Sequence, residues 1–220
     1  MTITTMNPDE VLKQMASQAV QQGDNLRERV HSLTLQALKT RELTLEQITG
    51  VLKTVTEGVN LGAATPKVDI EKAISEALHG MDKALLKAVQ ASHLALQQVV
   101  SQGKQFNETQ VTKALHELEH LEDQFLNTVK QASEGATGKV QEQWHDLLKH
   151  TKLAGTDSGT QAAQTLEEFR NRMTATMRET RAATVKAALA LSENFATLAS
   201  GILIGLSEAL QDMGQPKGKK

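Results

Sequence analysis

Prolines and capping residues divide this chain more sharply than any other feature. All three prolines, Pro8, Pro66 and Pro216, stand where a helix should start or stop, and none occurs between Pro66 and Pro216. A helix interior rejects proline at about 3 kcal/mol or more. The long proline-free span therefore leaves room for helices of unusual length. Asn7-Pro8-Asp9-Glu10 reads as an N-cap, a proline at the first helical position, and acids in the first turn. Thr44 followed by Gln47, and Asn107 followed by Gln110, repeat the spacing of a capping box.

Together with the glycines, these signals predict helices over 8–40 (bent at Gly23-Asp24-Asn25), 44–62, 69–102, 107–132, 139–153, and from about 158 to 213. No stretch alternates apolar and β-branched residues with polar ones, so no sheet is predicted. The expected fold is all-α, with long amphipathic helices in an extended bundle or coiled coil. Residues 1–65 form an N-terminal helical segment and 66–134 a central helical hairpin. Residues 135–220 form a short helix, a long C-terminal helix and a basic tail, the whole making one elongated domain.

Within the third helix the apolar seam reads Ile70, Ile74, Ala77, Met81, Leu85, Ala88, Ser92, Leu96, Val99. In the last it reads Leu166, Phe169, Met173, Met177, Thr180, Thr184, Ala188, Leu191, Phe195. Both follow an eleven-residue period, whose stripe runs nearly parallel to the helix axis. The apolar residues are mainly Leu, Val, Ala, Ile and Met, with four Phe, one Trp and no Tyr. That composition suits helix–helix seams rather than a thick core built on rings.

Residues 49–59 align without a gap to residues 200–210. Each region carries a small residue at every fourth position: Gly50, Thr54, Gly58 and Gly62 in one, Thr197, Gly201, Gly205 and Ala209 in the other. Each helical glycine costs roughly 1 kcal/mol, which close backbone approach can offset. The ridges imply tight helix crossing within a bundle, or an oligomer or membrane contact. Gly201 to Leu206 is apolar around most of the helix and must be covered by something. Trp144, Phe195, Leu198, Ile202, Leu203, Ile204 and Leu206 are the candidate contacts with an apolar surface.

Several chemistries are disfavoured. With no cysteine there is no disulfide, thiolate metal site or cysteine nucleophile, and a reducing compartment is compatible. The start of the chain is neither basic nor apolar, so no secretory signal is expected. A net charge of −2, with 24 basic and 26 acidic residues interspersed, gives no general attraction to nucleic acid. The apolar stretch 194–207 is shorter than the roughly 20 residues a membrane span needs.

His116-Glu117-Leu118-Glu119-His120 matches the HExxH pattern of zinc peptidases over five residues. On a helical wheel Leu115, Leu118, Leu121 and Phe125 share one side and both histidines face solvent. Such a pair can pick up zinc without being a catalytic centre. The remaining histidines, His31, His79, His93, His145 and His150, scatter over polar faces. Arg170, Arg172, Arg178 and Arg181 interleave with Glu167, Glu168 and Glu179, which reads as a solvated face with Glu168 and Arg172 paired at i, i+4. The sequence therefore predicts no catalytic residues, no cofactor and no resident metal.

The chain resembles phasins, the helical proteins that coat polyhydroxyalkanoate granules in bacteria. The likeness rests on the lack of cysteine, the few aromatics, and Ala/Gln/Thr/Lys-rich helices such as Thr128-Val-Lys-Gln-Ala-Ser-Glu-Gly-Ala136. The apolar stretch and the terminal Lys217-Gly-Lys-Lys220 add to it. The resemblance implies a cytoplasmic, granule-associated homo-oligomer whose amphipathic faces cover the polymer without catalysis. A soluble coiled-coil scaffold is the alternative, and a pore-former exposing Gly201 to Leu206 a third.

Overall fold

A computed structural model describes residues 7–41, 44–101 and 108–183, with side chains from 99–101, 108–110 and 173–183 left out of the description. Seven helices lie in these residues: α1 (Pro8–Gln22), α2 (Leu26–Lys39), α3 (Leu45–Ala63), α4 (Ile70–Ser101), α5 (Glu108–Ser133), α6 (Lys139–Ala154) and α7 (Asp157–Ala183). No strand occurs among the described residues, and the fold is an all-α bundle.

Helix starts follow local chemistry. The Asn7 side chain accepts from Asp9 N, and Asp9 and Glu10 place negative charge at the positive end of α1. Thr44 accepts from Gln47 N at 3.3 Å and opens α3. Asp69 accepts from Lys72 N at 3.1 Å before α4. The predicted first helix is not bent but broken. Gly23 has φ 73° and Asn25 φ 51°, both left-handed, and a right-handed helix cannot run through two such residues. Asn25 tolerates that conformation better than most side chains do.

Packing gathers the described residues into two compact units, those within 1–88 with 120–159, and those within 89–119 with 160–183. The divisions fall inside α4 and α5. The reason is helix length. α4 has 32 residues, so its two halves take different partners.

In the first unit, α3 turns Val51, Leu52, Val55 and Val59 fully inward, and α1 contributes Leu12, Ala16, Ala19 and Val20. Burying one such aliphatic side chain is worth about 1.5–3 kcal/mol. Two glycines bring these helices together. A Cβ on Gly62 would lie 2.6 Å from Ser17 O and 2.6 Å from Val20 Cβ. One on Gly58 would overlap Lys13 O and sit 2.7 Å from Ala16 Cβ. Gly80 of α4 meets α2 in the same way, its missing Cβ 2.6 Å from Arg27 O and 3.0 Å from Val30 Cβ. Ion pairs rim these crossings. Lys13 reaches Glu57 at 3.0 Å, Lys83 reaches Glu28 at 2.6 Å, and Arg27 makes two bonds of 3.1 Å to Glu76. Exposed pairs contribute about 0–1 kcal/mol, so they favour one register rather than carry the fold.

In α4 the expected seam is only part of what is buried. Ile74, Ala77, Met81, Leu85, Ala88 and Leu96 are covered, but so are Ala73, Leu78, Ala84, Val89, Ala91 and Ala95. That face is wider than a two-stranded seam and matches a helix packed among several others. Among the described residues, Trp144 and Phe125 in the first unit and Phe169 in the second are the largest fully buried side chains. In the second unit, Leu96, Val111, Leu115, Leu118, Leu166 and Phe169 are buried. The edge of the His93 ring meets Phe169 with centroids 5.7 Å apart.

The glycine crossing separates two otherwise similar substitutions. Gly58→Ala gains roughly 1 kcal/mol of helix propensity but forces α1 off α3, a kind of overpacking that costs about 1–3 kcal/mol. The nearest atom to a Cβ on Gly50 is Arg41 Nη1 at 3.9 Å. Urea denaturation should therefore show Gly58→Ala less stable than the parent and Gly50→Ala more stable. Shifts of the same sign and size would refute the close crossing.

Candidate functional site

The small-residue ridge of α3 divides in two. Gly58 and Gly62 lie in the crossing with α1, whereas Gly50 does not, and Thr54 Oγ1 donates to Gly50 O at 3.0 Å. Gly80, which the four-residue spacing did not pick out, plays the same part against α2. Thr197, Gly201, Gly205 and Ala209 lie outside the described residues, as do Phe195, Leu198, Ile202, Leu203, Ile204 and Leu206.

Trp144 corrects the sequence reading. It is fully buried, not an outward contact. Its Nε1–H donates to Asn60 Oδ1 at 2.7 Å, and Asn60 Nδ2 donates to Ala132 O at 2.9 Å. An indole can be buried whole when its N–H finds an acceptor, and the partner lies 84 positions away in sequence. One amide thus joins α3, the last turn of α5 and α6. The available signal was a lone amide on an otherwise apolar helix face, between Val59 and Ala63.

A second polar cluster holds the start of α7. Asp82, from α4, accepts from Asp157 N and Ser158 N, one oxygen to each, at 3.0 Å. Glu122, from α5, accepts from Thr156 N at 2.7 Å and Thr156 Oγ1 at 2.8 Å. Thr156 Oγ1 in turn accepts from Gly159 N at 2.9 Å, the bond of an N-cap. A Cβ on Gly159 would collide with the Glu122 carboxylate. Two carboxylates therefore meet the unsatisfied N–H groups and positive end of α7.

His116, Glu119 and His120 are exposed on α5, with one ligand atom from each lying within 4.8 Å of the others. Leu115, Leu118, Leu121 and Phe125 are buried on the opposite side, as the helical wheel predicted. Arg170 reaches Glu119 Oε1 at 2.9 Å, and Arg172 pairs with Glu168 at 2.5 Å. His79 and His150 each lie 2.7 Å from a carbonyl one turn earlier in their own helix, Ser75 O and Asp146 O.

Two histidines depart from the polar faces expected of them. His93 is half-buried, its Nδ1 3.3 Å from Thr165 Oγ1. His31 lies against the close crossing at Gly80, where its Nε2 is buried without a hydrogen-bond partner. Burial holds its pKa below the ordinary imidazole value and Lys83 adds to this, while Glu28 opposes it and Lys87 lowers it further.

No helix among the described residues is long and apolar enough to cross a membrane. A model of a family of unknown function, DUF6781, matches residues 2–212. The chain belongs to that family. No curated protein and no solved structure matches it.

His31 gives this DUF6781 chain a pH dependence of definite sign. The unfolded chain takes up a proton near the ordinary value of about 6.5, whereas the folded chain resists it to lower pH. Stability from this group is fully present above that pH and is lost as pH falls from there through the folded pKa. The lowered pKa of Glu28, caused first by its bond to Lys83, acts in a more acidic window. Denaturation midpoints measured at about pH 7 and about pH 5.5 should therefore differ less in His31→Phe than in the parent. Equal differences would contradict the depressed pKa.

Proposed function

We propose that the chain is a non-catalytic helical coat protein, phasin-like in kind, which covers an apolar intracellular surface such as a polyester storage granule. The observation that carries this reading is the use of the buried polar side chains. Asn60, Asp82, Glu122, Thr156 and Trp144 all bond to other parts of the bundle, which suits a holder of helices rather than a reaction site. With Trp144 committed to the interior, the residues left to meet an apolar surface are Phe195, Leu198, Ile202, Leu203, Ile204 and Leu206. Large exposed apolar side chains such as Met15, Leu61, Leu94 and Leu153 occur on four different helices, and single ones of this kind are ordinary.

One observation favours the second reading, a soluble oligomerising scaffold. Gly58 and Gly62 serve a contact inside the chain. The similar ridge at Gly201 and Gly205 could equally serve a contact between proteins.

Co-sedimentation with amorphous polyhydroxybutyrate particles separates the two. The coat reading expects the full chain to pellet with the particles. It expects Ile202→Asp with Leu206→Asp to stay in solution while keeping the parent's helical circular dichroism, because charge on an apolar face opposes surface insertion. A parent chain that remains in the supernatant as a stable oligomer would overturn the coat and leave the scaffold.

A further inference from the structure

We propose that a single turn of α5 carries a surface site for a divalent transition-metal ion of the zinc type, with His116 and His120 supplying imidazole nitrogens and Glu119 a carboxylate oxygen. The site is separate from the coat function and does not depend on it.

The argument begins with spacing. Residues at i, i+3 and i+4 share one face of a helix, and these three stand on the exposed face of α5 because the opposite face buries Leu115, Leu118, Leu121 and Phe125. The helix therefore sets the backbone positions of all three ligands before any ion arrives. Their ligand atoms already lie within 4.8 Å of one another. Around a zinc ion with bonds of about 2.0–2.2 Å, tetrahedral ligands are roughly 3.3–3.6 Å apart. Side-chain rotation on the solvent side can close that difference without moving the helix.

The donor set selects the ion. Two imidazoles and one carboxylate suit zinc, copper(II) or nickel, whereas magnesium and calcium call for oxygen ligands throughout. Arg170 binds Glu119 at Oε1, and an ionised carboxylate has about four lone-pair positions, so it can hold the guanidinium and an ion together. Arg170 is then a positioning residue that orients the carboxylate. Three protein ligands leave a fourth position for water. Glu117, which stands where the matching peptidase motif has its general base, pairs instead with Lys113 at 3.9 Å. The site assigned is thus a binding site, not a hydrolytic one.

Equilibrium dialysis of the chelator-stripped full chain against zinc chloride at about pH 7.5 tests this. The expected result is a saturable equivalent of zinc per chain that is absent in His116→Ala with His120→Ala. Glu119→Gln should weaken binding by about tenfold or more, and Arg170→Ala by a smaller factor, as loss of an outer partner does. His145→Ala with His150→Ala should bind like the parent. All six substituted positions are exposed, and circular dichroism checks that each of the four variants is folded. Zinc uptake unchanged in the His116/His120 variant, or lost equally in the His145/His150 variant, would overturn the site. Unchanged affinity in Glu119→Gln would overturn the three-ligand assignment.

Discussion

A buried amide bonded at both ends is the constraint on which the first unit depends. Leaving an amide unpaired in an apolar interior costs roughly 2–7 kcal/mol, depending on the reference state. Asn60 escapes that cost only if Ala132 O and Trp144 Nε1 are both in place. Ala132 lies in the last turn of α5, where the final carbonyls have no partner within the helix. Ala132 O also accepts from Gly135 N at 3.4 Å, so Asn60 adds a second bond at the end of α5 while anchoring the indole of α6. Asp82 and Glu122 do the equivalent work at the start of α7. At the start of α7, side chains from α4 and α5 thus add to the local cap that Thr156 provides.

Bonds of this kind fix which helix meets which, and the glycines fix how near. Gly58, Gly62 and Gly80 allow backbones to approach where any larger residue would hold them apart. Polar bonds need distances near 3 Å, so loosening the crossings would be felt at Asn60 and Asp82 as well as in the apolar contacts. The backbone N of His31 lies at the same crossing, 3.0 Å from where a Cβ on Gly80 would sit, and its Nε2 is buried without a hydrogen-bond partner. The first unit is thus a coupled arrangement of close crossings and long-range polar bonds.

What the amino-acid sequence disclosed is mostly what local chemistry controls. Asn7, Thr44 and Asp69 mark helix starts through bonds within three residues, and the outward placement of His116 and His120 follows from the period of Leu115, Leu118 and Leu121. The break at Gly23 was visible, but its strength depended on Asn25 also turning left-handed. Trp144 was misplaced because its acceptor lies 84 positions away and nothing local reports it. Asp82 and Glu122 look like ordinary exposed acids in their heptads, and only the arrival of α7 gives them donors. The buried face of α4 is wider than the eleven-residue seam, since periodicity reveals one face and not the number of partners that cover it.

The chain contains one tryptophan, so the bond at the centre of this account has its own spectroscopic signal. Hydrogen exchange of the Trp144 indole N–H, followed by NMR, measures directly whether that group is held. If Asn60 joins α3, α5 and α6 as described, the indole proton should exchange only as fast as the unit unfolds, in step with the slowest backbone amides of α3. An indole proton that exchanges at the rate of a solvent-exposed tryptophan while those amides stay protected would contradict the account.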